Sequence, residues 1–444
     1  MAVMGYPKGA INRLALLIWQ LIWHALLPVL LFYVWKRSRK EPLYIENLTQ
    51  RFGGGAAVPA GAIWVHAVSL GEVRAARPLI EALLARGERI LLTNMTAAGR
   101  KESRALFADA IKARQMHLCW TPIELFWATG RFFKKHQPKF GIILEIELWP
   151  QLMASANRTG IPMVMAQAQY PDKSFARDRG GLQLRGQIVT GFDLILAKSE
   201  RHAKRFAHFG ARDIRLMGDL RFELPIPPAH LSAGATFRRM IDANRPVFCL
   251  ASTAPDEDDL LIPVLQDLRQ AAIATGRPKP FFVYVPRHPK DFAATAAKLQ
   301  AAGLQMLHRS RDFDHDLALN RPLPDDLDGL FGDSLGEINF YFALADAVFI
   351  GDSFNDEGSH NIIEPLRLSK PVLVGPSIWG IEYPALEALE AGVLTKVETV
   401  QQMQAHWLAF DGQEDRARIE RFMAQHGGAT AKAIGHLQDV GLIS

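Results

Sequence analysis

Several short stretches carry groups able to do chemistry, and each follows an apolar run. His66-Ala67-Val68-Ser69-Leu70-Gly71-Glu72 directly follows Ala62-Ile63-Trp64-Val65. It reads as a strand that ends in a Ser-Gly turn and opens a helix with a carboxylate in its first turn. In α/β sheets, ligands bind at the carboxyl ends of strands. The helix N-terminus favours the ionised form of a Glu at that place, which is then positioned to take a proton from an incoming hydroxyl. Complementing the helix dipole is the competing role for Glu72, and this stretch alone leaves both open. Leu144-Glu145-Ile146-Glu147-Leu148-Trp149-Pro150 sets two carboxylates two residues apart in an otherwise apolar segment. Charges are rarely buried without a partner. No Asp-rich or His-rich partner pair accompanies them, so metal ligation by Glu145 and Glu147 is not expected. Gly218-Asp219-Leu220-Arg221 brings a guanidinium, Arg221, to the end of the same half of the chain.

The C-terminal half holds three more candidates. Val285-Pro286-Arg287-His288-Pro289 offers the forked guanidinium of Arg287, suited either to a phosphate or to surface ion pairs. In Gly332-Asp333-Ser334-Leu335-Gly336-Glu337, Gly336 permits close backbone approach and nearby amides can meet a base or phosphate. A plain helix start with Glu337 in its first turn explains that stretch equally well. Gly358-Ser359-His360-Asn361-Ile362-Ile363-Glu364-Pro365 places small residues before a helix, the makings of an anion site. Asn361 and Glu364 share one face of its opening turn, where a carboxylate can accept two ribose hydroxyls.

These groups need a scaffold, and the chain supplies alternating apolar runs and helical stretches. Ile63–Val68, Arg89–Thr93, Phe140–Leu144, Pro162–Ala166 and Leu194–Ala197 read as strands, and so do Pro246–Ala251, Phe281–Val285, Ala347–Ile350 and Pro371–Val374. Such alternation indicates parallel sheets covered by helices. With 444 residues two domains are expected. The Pro-rich Leu224-Pro225-Ile226-Pro227-Pro228 divides them, giving an N-terminal domain over 57–223, a linker over 224–230 and a C-terminal domain over 231–444. The expected fold is α/β, with two Rossmann-like domains facing a cleft. Arg309–Leu330, rich in Asp and Pro, reads as an exposed loop. The two cysteines, Cys119 and Cys249, are far apart and have no metal-ligand spacing. The net charge of +5 fits an anionic surface or substrate. Residues 1–45 read as a membrane anchor. Leu14–Trp35 has no Asp, Glu, Lys or Arg, and Lys36, Arg37, Arg39 and Lys40 follow it. That bias places the C-terminal side in the cytoplasm, and the helix either spans the bilayer or lies in its interface.

Taken together and in order, these stretches resemble the 3-deoxy-D-manno-octulosonic acid (Kdo) transferase family. Its pattern is an N-terminal anchor, His-Ser/Ala-Val-Ser-Val-Gly-Glu, Glu-Thr-Glu-Leu-Trp-Pro, Gly-Ser-Leu-Lys-Phe-Asp, Val-Pro-Arg-His-Pro, Asp-Thr-Met-Gly-Glu and Gly-Gly-His-Asn-Pro-Leu-Glu. The resemblance implies a GT-B type inverting glycosyltransferase of lipopolysaccharide biosynthesis, with CMP-Kdo as donor and a lipid A precursor, lipid IVA, as acceptor. It implies an inner-membrane enzyme whose catalytic domains lie on the cytoplasmic side, without cofactor or metal and without nucleic acid as a partner. By motif position Glu72 is the general base, and Glu145 and Arg221 stabilise the transition state. Pro286, Arg287, Leu335, Gly336, Glu337, Asn361, Ile362, Ile363 and Glu364 hold the CMP part. Arg and helix dipoles can neutralise a one-phosphate leaving group.

Four departures stand out. The family's Asn-Ala-Arg-Leu-Ser is Gln167-Ala168-Gln169-Tyr170-Pro171, and its Ser-Thr-His-x-Gly-Glu is Ser252-Thr253-Ala254-Pro255-Asp256-Glu257. Its Gly-Gly-Ser is Gly351-Asp352-Ser353, and Arg221 replaces a Lys. A divergent paralogue with another acceptor or related donor stays open, as does a catalytically silent membrane scaffold. The scaffold has little chemical reason to keep Glu72, Arg287, Asn361 and Glu364.

Overall fold

The computed structural model describes residues 5–412 and 416–444, which form two compact α/β units. One unit runs to Leu224 and takes in Gly427–Ser444; the other is Pro225–His426.

The first unit is built on strands β1 (Ile63–His66), β2 (Ile90–Asn94), β3 (Met116–Trp120), β4 (Phe140–Leu144), β5 (Met163–Ala168), β6 (Leu194–Ala197) and β7 (Ile214–Leu216). They form a parallel sheet in the order β3-β2-β1-β4-β5-β6-β7. Ile63 stands opposite Ile90 on one side and Phe140 on the other. Strands in such a sheet are apolar on both faces because helices cover both. Ile63 and Val65 accordingly enter one core with Val73, Leu79, Ile80 and Leu83 from the helix Leu70–Ala85. Trp64 enters the opposite core, with Phe132 and Phe133 edge-on to its ring.

The second unit repeats the plan with β8 (Val247–Thr253), β9 (Phe281–Pro286), β10 (Met306–His308), β11 (Gly329–Phe331), β12 (Ala347–Ile350), β13 (Val372–Val374) and β14 (Leu394–Lys396). The order is β10-β11-β9-β8-β12-β13-β14, again parallel. Phe248 anchors its core, its ring stacked on Trp407 at 4.7 Å.

The doubly wound architecture and all nine expected strands are present, three with the expected ends and six with an end shifted by one or two residues. Five strands were not foreseen: β3, β7, β10, β11 and β14. Four of them are edge strands and β11 neighbours one; all five are only three residues long or partly exposed, so they lack a long continuous apolar run. Three further expectations need correction. A helix, Pro228–Met240, begins inside the expected linker 224–230. The segment expected as an exposed loop at Arg309–Leu330 contains the short helix Arg309–Asp312, buried Phe313, Leu317 and Leu327, and the start of β11. The C-terminal domain expected over 231–444 loses Gly427–Ser444 to the first unit, because Ala433, Ile434 and Leu437 of the helix Ala429–Asp439 join the core around Leu79 and Leu83.

The expected apolar N-terminal helix is a continuous Gly9–Ser38. An 18-residue stretch of it has a mean hydropathy of 2.1, long and apolar enough to cross a membrane.

Candidate active site

In each sheet the strand order reverses beside its first strand, between β1 and β4 in one unit and between β8 and β12 in the other. Ligands of doubly wound sheets bind at such switch points, beyond the carboxyl ends of the strands. In the first unit Glu72 follows β1 and Glu145 follows β4, so the two carboxylates flank the switch point. Ser69 caps the helix Leu70–Ala85, and Glu72 is its third residue. The Glu72 Oε2 accepts from the Val68 amide at 2.8 Å and Oε1 accepts from the Ser69 hydroxyl at 3.0 Å. Each oxygen keeps a lone pair for another donor.

Burial, reinforced by the nearby Glu145 and Glu147, pushes the Glu72 carboxyl up to about 7, against the pull of those two hydrogen bonds. The expectation that the helix N-terminus keeps Glu72 firmly ionised is therefore corrected. Desolvation outweighs the dipole when a carboxylate is largely removed from water beside two others.

Glu145 has φ +59, a left-handed backbone that turns it out of β4. Arg221 Nη2 donates to its Oε1 at 2.5 Å, and Gln169 Nε2 donates to its Oε2 at 3.3 Å. Glu145 thus stands between Glu72, whose pKa it raises, and Arg221, with which it pairs. One further partner of Glu145 was missed. Lys198, the residue after β6, is fully buried; its Nζ lies 3.1 Å from Asp219, 3.0 Å from Gln169 Oε1 and 3.8 Å from Glu145. A Lys immediately after Leu194-Ile195-Leu196-Ala197 was the signal available, since a charge next to a buried strand needs a partner. Burial lowers the Lys198 pKa while Asp219 raises it. Lys198 also bears on the missing Arg: at that place Gln169 bridges Lys198 and Glu145, so the positive charge beside Glu145 comes from Lys198 and Arg221 instead.

In the second unit the loops after β8, β9 and β12 meet. Glu257, from the altered Ser252–Glu257 stretch, is buried, and its carboxylate accepts from the amides of Ala254 (3.1 Å), Asp352 (2.6 Å), Ser353 (2.9 Å) and Phe354 (2.9 Å). This clamps the β12 loop to the β8 loop. A Cβ on Gly351 would sit 2.8 Å from Glu257 Oε2 and 2.7 Å from the Thr253 backbone, so only glycine fits. Asp352 has φ +58, a region that Asp tolerates better than most residues. Its occupation of the family's second Gly position is therefore compatible with the same turn. Asp352 Oδ1 accepts from Asn355 at 2.5 Å, and its Oδ2 lies 3.0 Å from His360 Nε2. Burial and the charge of Arg287 push His360 down to about 4, so it is neutral near pH 7.

Pro286 is buried at the end of β9, and Arg287 is exposed, tied to the β8 loop through its amide, which donates to the Thr253 carbonyl at 3.0 Å. Leu335 is 67% exposed and Gly336 has φ +87. Glu337 caps the helix Ile338–Leu344 rather than lying in its first turn, and its carboxylate accepts from Arg309 at 2.7 Å and from Ser334. Its side chain thus braces the turn, and Arg309 comes from the segment expected to be loop. Asn361 Oδ1 accepts from the Ile363 amide at 3.0 Å, but Asn361 precedes Ile362, the N-cap of the helix Ile363–Arg367, so it lies outside the opening turn it was expected to share with Glu364. The Ile362 and Ile363 side chains are buried in the core, which leaves only their backbone to face a ligand. Glu364 lies in that helix's first turn. Among the described residues no group of three His, Cys, Asp or Glu side chains is arranged to hold a metal ion.

A family model described as 3-Deoxy-D-manno-octulosonic-acid transferase (kdotransferase) matches residues 46–224. The chain is 36% identical over 435 residues to the 3-deoxy-D-manno-octulosonic acid transferase of Bordetella pertussis, covering 95% of this chain and 98% of that one. It is 30% identical over 370 residues to that of Haemophilus influenzae, covering 80% and 82%. Among solved structures, MurG of Acinetobacter baumannii aligns with a TM-score of 0.53 at 13% identity, covering 86% of this chain and all of that one. UDP-GlcNAc 2-epimerase from Neisseria meningitidis aligns with a TM-score of 0.55 at 12% identity, covering 85% and 100%. Those two likenesses are of fold, the two-domain arrangement of GT-B glycosyltransferases.

Proposed function

Because the chain belongs to the Kdo transferase family and is a glycosyltransferase, we propose that it transfers Kdo from CMP-Kdo to a lipid A precursor such as lipid IVA. The reaction takes place at the cytoplasmic face of the inner membrane, where such an acceptor is embedded. The observation that carries this reading is Glu72, at the β1–β4 switch point with a pKa pushed up to about 7.

A base is most effective when its pKa lies near the working pH. Glu72 accepts the proton of the acceptor hydroxyl as that oxygen attacks the anomeric carbon of Kdo. The bond to the phosphate oxygen breaks, CMP leaves with the electron pair, and the configuration inverts. Glu145, held by Arg221 and Lys198, lends negative charge to the electron-poor sugar ring. Arg287 pairs with the CMP phosphate. The Leu335–Gly336 and Asn361–Ile363 backbones and the Glu364 carboxylate seat the base and ribose. The reading needs no metal, since a guanidinium and helix N-termini can balance one phosphate.

The test is incubation with CMP-Kdo and lipid IVA, with the product mass measured. One or more Kdo additions are expected. Glu72→Gln should keep the fold and CMP binding and lower turnover by roughly two to four orders of magnitude. Near-normal turnover in that variant removes Glu72 as the base.

A further inference from the structure

The helix Gly9–Ser38 is long and apolar enough to cross a bilayer, yet side chains between Leu16 and Val34 pack on the globular part of its own unit. Leu16, Gln20, Trp23, Leu27, Leu30 and Val34, spaced by three or four, are among its partly or fully buried side chains. They form one stripe. Leu16 packs on the core that contains Trp64; Leu30 and Val34 pack with Tyr44 and Ala97. Leu16 to Val34 covers about 27 Å at 1.5 Å per residue, nearly a full hydrocarbon thickness of about 30 Å.

The stripe carries a polar latch. Gln20 donates to the Glu124 carbonyl at 2.9 Å and accepts from the Phe126 amide at 2.8 Å. Trp19 Nε1 donates to Glu124 Oε2 at 3.0 Å, and the same carboxyl accepts from the amides of Gln151 and Leu152. A helix crossing the bilayer would draw this carboxyl and these peptide groups into hydrocarbon, where polar groups are costly.

The opposite face is apolar and exposed, with Leu14, Leu17, Leu21, Val29 and Phe32 each more than half exposed. Exposed Phe126 and Trp127 of the neighbouring helix Phe126–His136 add to this surface, and Phe126 lies 6.0 Å from His24. The exposed cations Lys36, Arg37, Arg39 and Lys40 lie at one end. A groove of about 690 Å³ beside the helix is lined by Leu16, Leu17, Leu21 and Phe126 together with Arg13 and Arg158. That mixture suits acyl chains and anionic headgroups.

We propose that Gly9–Ser38 does not cross the bilayer but lies in the plane of one leaflet, its Gln20 stripe docked on the protein and its Leu21 face in anionic lipid. This rests on the membrane association proposed above and not on the sugar transferred.

The test uses sealed vesicles of phosphatidylglycerol and phosphatidylethanolamine carrying the full chain with its globular part outside. One variant has a cysteine-bearing tag ahead of Met1 and another has Lys40→Cys; the native Cys119 and Cys249 are buried and contribute little background. A membrane-impermeant maleimide should label both without detergent. Labelling of the tag only after the vesicles are opened overturns the in-plane placement and leaves membrane association standing. A chain that does not float with these vesicles overturns both. Gln20→Leu, which a spanning helix would welcome, should raise hydrogen exchange at Phe126 and Leu152 at least tenfold. Unchanged exchange there removes the latch.

Discussion

At the residue scale, the same carboxylate performs two roles that the sequence presents as alternatives. Glu72 receives the Ser69 hydroxyl and the Val68 amide, as a capping residue does, and it is also desolvated beside Glu145 and Glu147. The cap fixes its direction and the burial sets its proton affinity. A base must be deprotonated to act, and the Glu72 pKa lies at about 7 instead of 4.5. Hence kcat/KM for Kdo transfer should rise with pH up to about 7 and then level off, falling about tenfold per pH unit on the acid side. A pH–rate profile checks this; an acid limb near 4.5, or none, means that another group takes the proton.

At the element scale, the two loops at the second switch point are joined through one side chain. Glu257 accepts four backbone hydrogen bonds, three of them from Asp352–Phe354. Its stretch departs from the family pattern at His and Gly positions, yet the carboxylate that joins the loops is kept. Glu257→Ala leaves those amides without their acceptor. It should cost roughly 2–3 kcal/mol of stability. It should also weaken CMP binding, because the β12 loop carries Asp352 and His360 beside Arg287. Urea melts and calorimetry with CMP read both effects; an unchanged melt and an unchanged affinity would show that the clamp is dispensable.

At the scale of the whole molecule, the chain leaves the first unit at Leu224 and returns to it at Gly427. The returning helix Ala429–Asp439 buries Ala433, Ile434 and Leu437 against the helix that starts with Glu72's turn. Thr430 also donates its amide to Glu223, and Arg215 pairs with Asp439 at 3.1 Å. Ending the chain at His426 should therefore destabilise the first unit, by at least about 4 kcal/mol for the lost Ile and Leu burial. Hydrogen exchange by mass spectrometry should show protection lost in β1 and β4 and kept in β8 and β9. Loss confined to β8 and β9 would place the tail's contribution in the second unit.

The central strands and the strand-end motifs were legible because both arise from local pattern. A strand buried on both faces must be apolar throughout, and a chemical group can only follow where it ends. Ile63–Val65 with Glu72, and Ala347–Ile350 with the Asn361 and Glu364 stretch that follows it, are of this kind. Short edge strands such as β7 and β14 are half wet, so their sequences resemble loop. Other features depend on groups far apart in the chain. The pKa of Glu72 is raised by burial and by carboxylates more than seventy residues away. Lys198 acquires its role from Asp219 and Gln169, and the tail acquires its unit from Leu79 and Leu83. Desolvation, ion pairing and core packing are properties of what surrounds a group in space. Only the folded chain decides them.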